Sequence, residues 1–462
     1  MSLMSASCSR QRFTPFLGRH AWSFSHTPRK NQQLNVRGCL ATEPRSTWRL
    51  GHSVAKNKLS NPSFERIDPS YVVEEETLNE YQSRHYYPVR LGDVLNDRYK
   101  VIGKLGFGSA STVWLCRDVQ KQSDYVALKI YINNSKSHRE LPIYEEINDL
   151  QSTHEGQKYI RKMYDSFELQ GPHGRHICLV HQPLGISLGE LKELTPDGLF
   201  SASLIRQTLR CILSGLQFLH KEARRRRKYR QPQLTFIPDL QPSNMLLGIH
   251  DHSVLAKFER YEIENPCLRK ELDDRTIYLS RPMPLSKGEP CITDLGEGRF
   301  GGQVHTDLIM PNVYRAPEVI LGLPWGYEVD VWGFAMVLWD LFQPKRLFNP
   351  QDSEGQYSEA HHLAQMISLL GPPPLKFLQR CGEKADQYWD KNGNWKDLVP
   401  IPENSLEHMD QRLEGSEKAQ FIAFMRKMLH WDPEDRQDSE SIYWDEWFLA
   451  DLIESGEIVR GG

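Results

Sequence analysis

Apolar residues crowd the stretch Val126-Ala-Leu-Lys129-Ile-Tyr131, whose alternation predicts a largely buried strand interrupted by one lysine. Upstream, Val101 to Leu115 reads as strand, turn and strand, with Gly106 and Gly108 at the turn. Downstream, Pro142-Ile-Tyr-Glu145-Glu146-Ile147-Asn-Asp-Leu150 reads as a helix, and Ile177 to His181 as a strand that runs into the connector Gln182-Pro183-Leu184-Gly185. A further helix is expected to end near His220. Cys291-Ile-Thr is a short apolar strand that ends in Asp294-Leu-Gly296, and Tyr327 to Phe342 is apolar almost throughout, a buried helix carrying Asp330. No apolar run reaches the length of a membrane span.

The polar residues left inside these apolar segments carry the chemistry. An ammonium on a buried strand needs an anion to offset its desolvation, so Lys129 requires partners. Glu146, just before the inward Ile147, is the expected partner, with Glu145 the competitor. Glycines at 106 and 108 let backbone N–H groups approach phosphates without a Cβ clash. The loop Phe236-Ile-Pro-Asp239-Leu-Gln241-Pro-Ser-Asn244 then offers a carboxylate and, five residues on, an amide, before Asp294. Each piece alone is weak, and Asp-Leu-Gly by itself reads as a strand-ending turn. Their order, followed by Tyr314-Arg-Ala-Pro-Glu318, resembles that of protein kinases, in which Asp239 would accept the substrate hydroxyl proton while Asn244 and Asp294 hold magnesium. Three further residues are expected to be structural. Asp330 must be hydrogen-bonded if buried, and the catalytic-loop backbone is the expected partner; Arg436, in Trp431-Asp-Pro-Glu-Asp-Arg436, is expected to pair with Glu318.

Tyr86-Tyr-Pro-Val-Arg-Leu-Gly-Asp-Val-Leu-Asn-Asp-Arg-Tyr99, the Gly-Phe-Gly-Ser-Ala-Ser-Thr-Val-Trp-Leu loop and Asp-Leu-Gly resemble the SR-protein kinases, particularly their divergent fungal branch, from about 86 to 450. The resemblance implies an α+β, bilobal kinase fold. Its N-lobe would span 99–182, with five strands and one main helix, and its mainly helical C-lobe 183–455. Residues 71–98 would dock as an extension, and residues 1–70 form a disordered tail. The family carries a spacer at the place of the 248–290 segment, which here is short and mixed in charge, either an ordered layer or a solvated loop. ATP and Mg2+ are the implied cofactors. Leu105, Gly106, Gly108, Ser109, Ser111, Val113 and Lys129 would border the nucleotide, the Gln182 carbonyl and Leu184 amide would meet the base, and His181 would lie behind it.

Departures from the family pattern predict slow chemistry. Ser111 replaces a third glycine, as the family allows. Ile237 and Pro238 replace the usual pair before the catalytic aspartate, and Gln241 replaces the lysine that neutralises the transferred phosphoryl group. Loss of such a charge costs roughly 10²–10³ in rate. Pro311 replaces the threonine that bridges that lysine and the aspartate, so a nucleotide-binding scaffold is the alternative to a catalyst. Proline at 238 cannot bind a phosphate, so no phosphorylated loop residue is expected to be required, Thr306 being the main candidate.

With 462 residues, 39% of them hydrophobic, the chain can bury a two-lobed core. A net charge of −3 speaks against a chain-wide nucleic-acid footprint, and eight cysteines without metal spacing read as free thiols in a reducing compartment. The expected partner is a protein substrate, arginine/serine-rich by resemblance, with no nucleic acid or membrane, and the expected state is a monomer. Resemblance places the chain in cytoplasm and nucleus, whereas residues 1–42, basic and free of Asp and Glu, have the composition of a mitochondrial import signal. Arg224 to Lys228 reads as a solvated loop extension, and Glu383 to Glu414 as an acidic face that would attract arginine-rich partners.

Overall fold

The computed structural model describes residues 64–458 apart from 122–123, 135–138, 229–233, 236–238, 297 and 301–304. The acid-free N-terminus and the departures at Ile237 and Pro238 therefore lie outside the described residues. In chain order the first elements are β1 (Arg66–Ile67), β2 (Val94–Leu95), β3 (Tyr99–Gly108), β4 (Ser111–Asp118), β5 (Tyr125–Tyr131), α1 (Glu140–Asp149), β6 (Met163–Gly171) and β7 (Gly174–His181). Strands β2 to β7 form one antiparallel sheet in the order β2-β3-β4-β5-β7-β6. It has six strands where five were expected. The extra one, β2, is two residues from the extension that pair with β3 at Val94↔Lys100 and Leu95↔Tyr99, too short to carry a period.

Alternation along β5 assigns its two faces. Val126, Leu128 and Ile130 join a buried cluster with Val101, Trp114, Cys178 and Val180, whereas Tyr131 belongs to the larger core with Ile143, Tyr144 and Ile147 of α1. The first cluster is completed from outside the sheet, by Val89 of the extension and by Cys267 and Tyr278.

The C-lobe follows as α2 (Leu188–Leu194), α3 (Ala202–Lys228), β8 (Leu234–Thr235), β9 (Met245–Leu247), α4 (Ser253–Glu264), β10 (Arg269–Glu271), β11 (Thr276–Tyr278), β12 (Pro290–Ile292), β13 (Arg299–Phe300), α5 (Pro317–Ile320) and α6 (Glu328–Phe342), then shorter helices to Glu454. Helix α6 is buried along nearly its whole length, with Trp332, Phe334, Trp339 and Phe342 in the core. Helix α3 continues through Arg224–Lys228, so the basic run extends a helix instead of forming a loop.

The 248–290 segment is an ordered layer. Its β10 pairs in parallel with β1 and antiparallel with β11, and its α4 packs on β3, where a Cβ at Gly103 would be 2.9 Å from the Phe258 ring. Three consecutive glutamates in the turn Glu74–Thr77 bind it together. Lys104, 1% exposed, pairs with Glu75 and lies 3.2 Å from Glu74; Lys270 Nζ donates to Glu76 at 2.8 Å and to the Tyr71 carbonyl at 2.8 Å; and Ser280 N donates to Glu74 at 2.9 Å. Extension, insert and N-lobe sheet are therefore joined by buried ion pairs as well as by strands. All six described cysteines are free, and no described helix is long and apolar enough to cross a membrane.

Candidate active site

Sheet register lines up the groups expected to border phosphate. Gly106 pairs with Val113, Val113 with Lys129 and Lys129 with Leu179, one row across four strands. Ser111 is buried at the start of β4, opposite Gly108, while Leu105 and Ser109 lie in and just beyond β3. Gly106 and Gly108 have ordinary φ, and a Cβ on either would meet no protein atom within 4 Å. Neither local strain nor packing requires glycine at these two positions, which fits a cradle for a closely approaching ligand.

Lys129 Nζ donates to Glu140 Oε2 at 2.6 Å and lies 3.6 Å from Asp294 Oδ1. This corrects the expected partner, Glu146. Helix α1 begins at Glu140, and Glu140, Ile143, Tyr144 and Ile147, spaced by three or four residues, form its buried face. Glu146 is half-buried elsewhere on the helix and Glu145 is exposed. The same 3.6-residue period, extended one turn towards the N-terminus, would have picked out Glu140. Burial alone would lower the Lys129 pKa, yet the Glu140 and Asp294 carboxylates outweigh it and hold the ammonium well above its ordinary value. Burial alone would raise Glu140, but Lys129 and the Tyr131 hydroxyl, which donates to the same oxygen, hold it below the usual carboxylate range. Both members of the pair are charged at neutral pH. Glu140→Gln is expected to slow phosphoryl transfer by about 10²-fold through misplacement of Lys129, with Glu146→Gln within about twofold of the parent. Single-turnover rates at saturating nucleotide decide, and equal losses in both would undo the Glu140 assignment.

Asn244 and Asp294 are brought together by strand pairing. β9 and β12 are antiparallel with Met245 opposite Ile292, and Thr293 donates through N and Oγ1 to the Asn244 carbonyl at 2.9 and 2.8 Å, across 49 residues of sequence. Asp294 has φ 56°, the left-handed region that costs a non-glycine residue of order 1–3 kcal/mol. Leu295 beside it is buried in the same core as Tyr144 and Met163. Asn244 Nδ2 donates to Asp239 Oδ2 at 3.1 Å and to the Asp239 carbonyl at 3.1 Å, turning its amide N–H groups to the aspartate. Gln241 Nε2 donates to the same Asp239 oxygen, so its dipole is turned to the carboxylate. Pro311 is half-buried after Met310, which has φ 67°.

Strand β7 delivers the connector: Gln182 N donates to the Lys162 carbonyl at 2.9 Å and Gly185 N to the Leu247 carbonyl at 2.7 Å. Leu184 is buried beside it, and a Cβ at Gly185 would be 2.3 Å from Ser286 Oγ, so this glycine answers to the insert. His181 is fully buried, edge-on to Tyr144 at 4.9 Å; burial, reinforced by the Arg161 and Lys129 charges, depresses its pKa well below the ordinary histidine value and keeps it neutral. Arg161, absent from the sequence-based site, reaches the Gln182 carbonyl through Nε at 3.1 Å.

The structural residues are deeply placed. Arg436 binds Glu318 bidentately, both bonds 2.6 Å and both side chains wholly buried. Asp330 accepts from or donates to His220 Nε2 at 2.8 Å, a partner on α3 that the sequence did not signal, and the expected catalytic-loop backbone falls partly outside the described residues. Burial drives Asp330 well above the ordinary carboxylate range.

An N-lobe sheet carrying Gly106 and Lys129, set against a C-lobe carrying Asp239, Asn244 and Asp294, defines a protein kinase, and the chain belongs to the protein kinase domain family, which matches residues 99–448. It is 39% identical to a serine/threonine protein kinase of Aspergillus fumigatus, over 84% of this chain and 94% of that protein. With serine/threonine-protein kinase SRPK of Physarum polycephalum it shares 31% over 79% of this chain and 88% of the relative, and with protein kinase dsk1 of Schizosaccharomyces pombe 25% over 79% and 83%. A crystallographic kinase domain matches in fold with a TM-score of 0.60 at 24% identity, covering 79% of this chain and 100% of that one. Among serine/threonine protein kinases, the chain falls in the SRPK-like group.

Proposed function

We propose that this kinase transfers the γ-phosphoryl group of Mg-ATP to serine or threonine of arginine/serine-rich proteins, with Asp239 as base and Lys129 on the phosphates. One observation carries the chemistry: the β9–β12 pairing brings the ends of the two strands together, with Asn244 hydrogen-bonded to Asp239 and Asp294 3.6 Å from Lys129. Asn244 and Asp294 would hold magnesium, Asn244 through its side-chain oxygen since its N–H groups face Asp239. Bound magnesium supplies charge neutralisation on the β- and γ-phosphates. The residues' own work is positional. Gln241 and Asn244 both fix Asp239 Oδ2, and Glu140 holds Lys129 upright on β5.

The segment after Asp294 has an internal anchor for its conformation. Arg299 donates to Asp307 at 2.7 Å, and Trp325 Nε1 donates to the Asp307 carbonyl at 2.9 Å, while Thr306 is exposed beside them. Arg299 thus already has a carboxylate of the chain as its partner, which supports activity without phosphorylation of Thr306. For the substrate class, Glu383, Asp386, Asp390, Asp397, Glu403 and Glu414 are exposed and give an acidic surface suited to arginine-rich segments. Asp410 of the same stretch is buried and accepts from Gln343 at 2.6 Å, so it belongs to the fold.

The test is transfer from radiolabelled Mg-ATP to an arginine-serine-repeat peptide. The parent should label the peptide slowly, and Gln241→Lys should be faster by about ten- to a hundredfold as a cation is restored near the developing charge. Nucleotide binding without transfer to that peptide or to a broad protein mixture would establish the scaffold reading instead.

A further inference from the structure

The turn between β3 and β4, expected to border phosphate, is held from outside by the extension. Tyr86, 5% exposed, brings its hydroxyl to the Gly108 carbonyl at 3.2 Å and the Ser109 carbonyl at 3.3 Å, one donor shared between two peptides at the tip of the turn. Its own mount is fixed on both sides. Asn133, just beyond β5, donates through its backbone N–H to the His85 carbonyl at 3.0 Å and through Nδ2 to the Arg84 carbonyl at 3.1 Å. From the insert, Arg275 Nη1 donates to the Tyr86 carbonyl at 3.2 Å. Phe107, between the two glycines, has its ring centroid 5.2 Å from the Lys104 ammonium, which the acidic turn of the extension already holds.

A trans peptide points its C=O and the following N–H in opposite directions. A hold on the Gly108 and Ser109 carbonyls is therefore also a hold on the Ser109 and Ala110 N–H groups, which are turned away from Tyr86. The next carbonyl, that of Ala110, accepts from Ile132 N at 3.0 Å, so the turn is anchored from Gly108 through Ala110. Through Val89 the extension packs on the sheet face formed by Val126, Leu128 and Ile130, and Lys129 alternates with these residues to meet Glu140. The extension thus covers the face opposite the ammonium, and N–H groups turned away from it are free for an anion on the ammonium's side. Donors oriented before a ligand arrives bind it with less entropy lost in ordering the loop.

We infer that Tyr86 is a positioning residue of the nucleotide site, its hydroxyl presetting the Ser109 and Ala110 amides for the phosphates. The inference rests on the nucleotide site proposed above and adds to it a residue that precedes the kinase domain match at 99–448. Coupling between binding events is reciprocal, so bound phosphates should in turn steady the extension around Tyr86.

Displacement of a fluorescent adenine nucleotide from the full chain, with magnesium, gives the affinities for ATP and for adenosine, which carries no phosphate. In Tyr86→Phe, which keeps the ring and removes the hydroxyl, ATP should weaken by about three- to tenfold, the range that one neutral hydrogen bond commands. Adenosine should stay within about twofold of the parent. Equal weakening of both would assign Tyr86 to packing alone, and an unchanged ATP affinity would deny it any hold on the amides; either result overturns the inference and leaves the kinase reading intact. Hydrogen exchange in the parent supplies a second arm that needs no variant. ATP should slow exchange across 84–87 as well as 105–111, and adenosine should leave 84–87 unchanged. Exchange at 84–87 that is indifferent to ATP overturns the inference even where Tyr86→Phe fails to fold. Failure of the parent to bind any nucleotide overturns the nucleotide site and the inference with it.

Discussion

The Asp239→Ala chain will bind nucleotide with nearly the parent's affinity and transfer phosphate at least about 10³-fold more slowly, within the range a positioned general base supplies. Asp239 is half-buried, and two amides converge on its Oδ2, from Gln241 two residues on and from Asn244 at 3.1 Å. Such convergence leaves the carboxylate one orientation, which a base aimed at an incoming hydroxyl requires. Removal deprives those amides of an acceptor but takes no apolar surface out of the core, so folding should survive and the loss should appear in the transfer step. Single-turnover label transfer at saturating nucleotide, set beside nucleotide affinity, separates the two. A rate within tenfold of the parent's would show that another group takes the proton. Gln241→Lys should act in the opposite direction, and its gain should vanish in the absence of Asp239, because groups that work as a unit are not additive.

Arg436→Met will destabilise the C-lobe by about 3–5 kcal/mol, the cost of leaving a buried carboxylate without its partner. Glu318 and Arg436 are wholly buried and bound through two parallel hydrogen bonds of 2.6 Å. Arg436 also donates to the Glu328 and His430 carbonyls and lies over the Trp332 ring at 5.1 Å, so it ties α5, α6 and the turn before it into one corner. The melting temperature and the denaturant midpoint should fall together. The double variant Glu318→Leu with Arg436→Met should recover part of the loss, because removing both charges also removes their desolvation. Equal stability in Arg436→Met and the parent would mean that the pair orders this corner without stabilising it.

Much of this arrangement was legible because it depends on local period and order. Alternation placed Lys129 on a buried strand, and the short apolar strand before Asp294 marked where β12 ends. Legibility failed where a choice depended on three dimensions. Glu145 and Glu146 were weighed as partners of Lys129 because they adjoin the apolar Ile147, yet the helix begins at Glu140, whose face is set by Ile143 and Tyr144. His220 on Asp330 joins residues 110 apart, and Arg161 on Gln182 joins the end of one strand to the end of another. Neither has a sequence period. The basic run lies between a helix expected to end near His220 and the catalytic loop, and five successive cations carry no apolar period to show that the helix continues to Lys228. The insert is mixed in charge and therefore undecided from sequence, and its charges find partners both outside and inside it: Arg117 of β4 for Glu259, and Arg281, beyond β11, for Glu262 of α4.

The clasp of extension, insert and N-lobe also dictates an order of assembly. Lys104 lies 29 residues from Glu75, so their pairing can form as soon as both have left the ribosome. Lys270 lies 194 residues from Glu76 and Ser280 lies 206 from Glu74. At 5–20 residues per second, the acidic turn waits about 10–40 s for them. Contacts of such long range are closed slowly because their loop entropy is lost before their energy is gained. The first described segment to be synthesised is thus among the last to be locked, and completion of the N-lobe's outer face reports that translation has already passed well into the C-lobe.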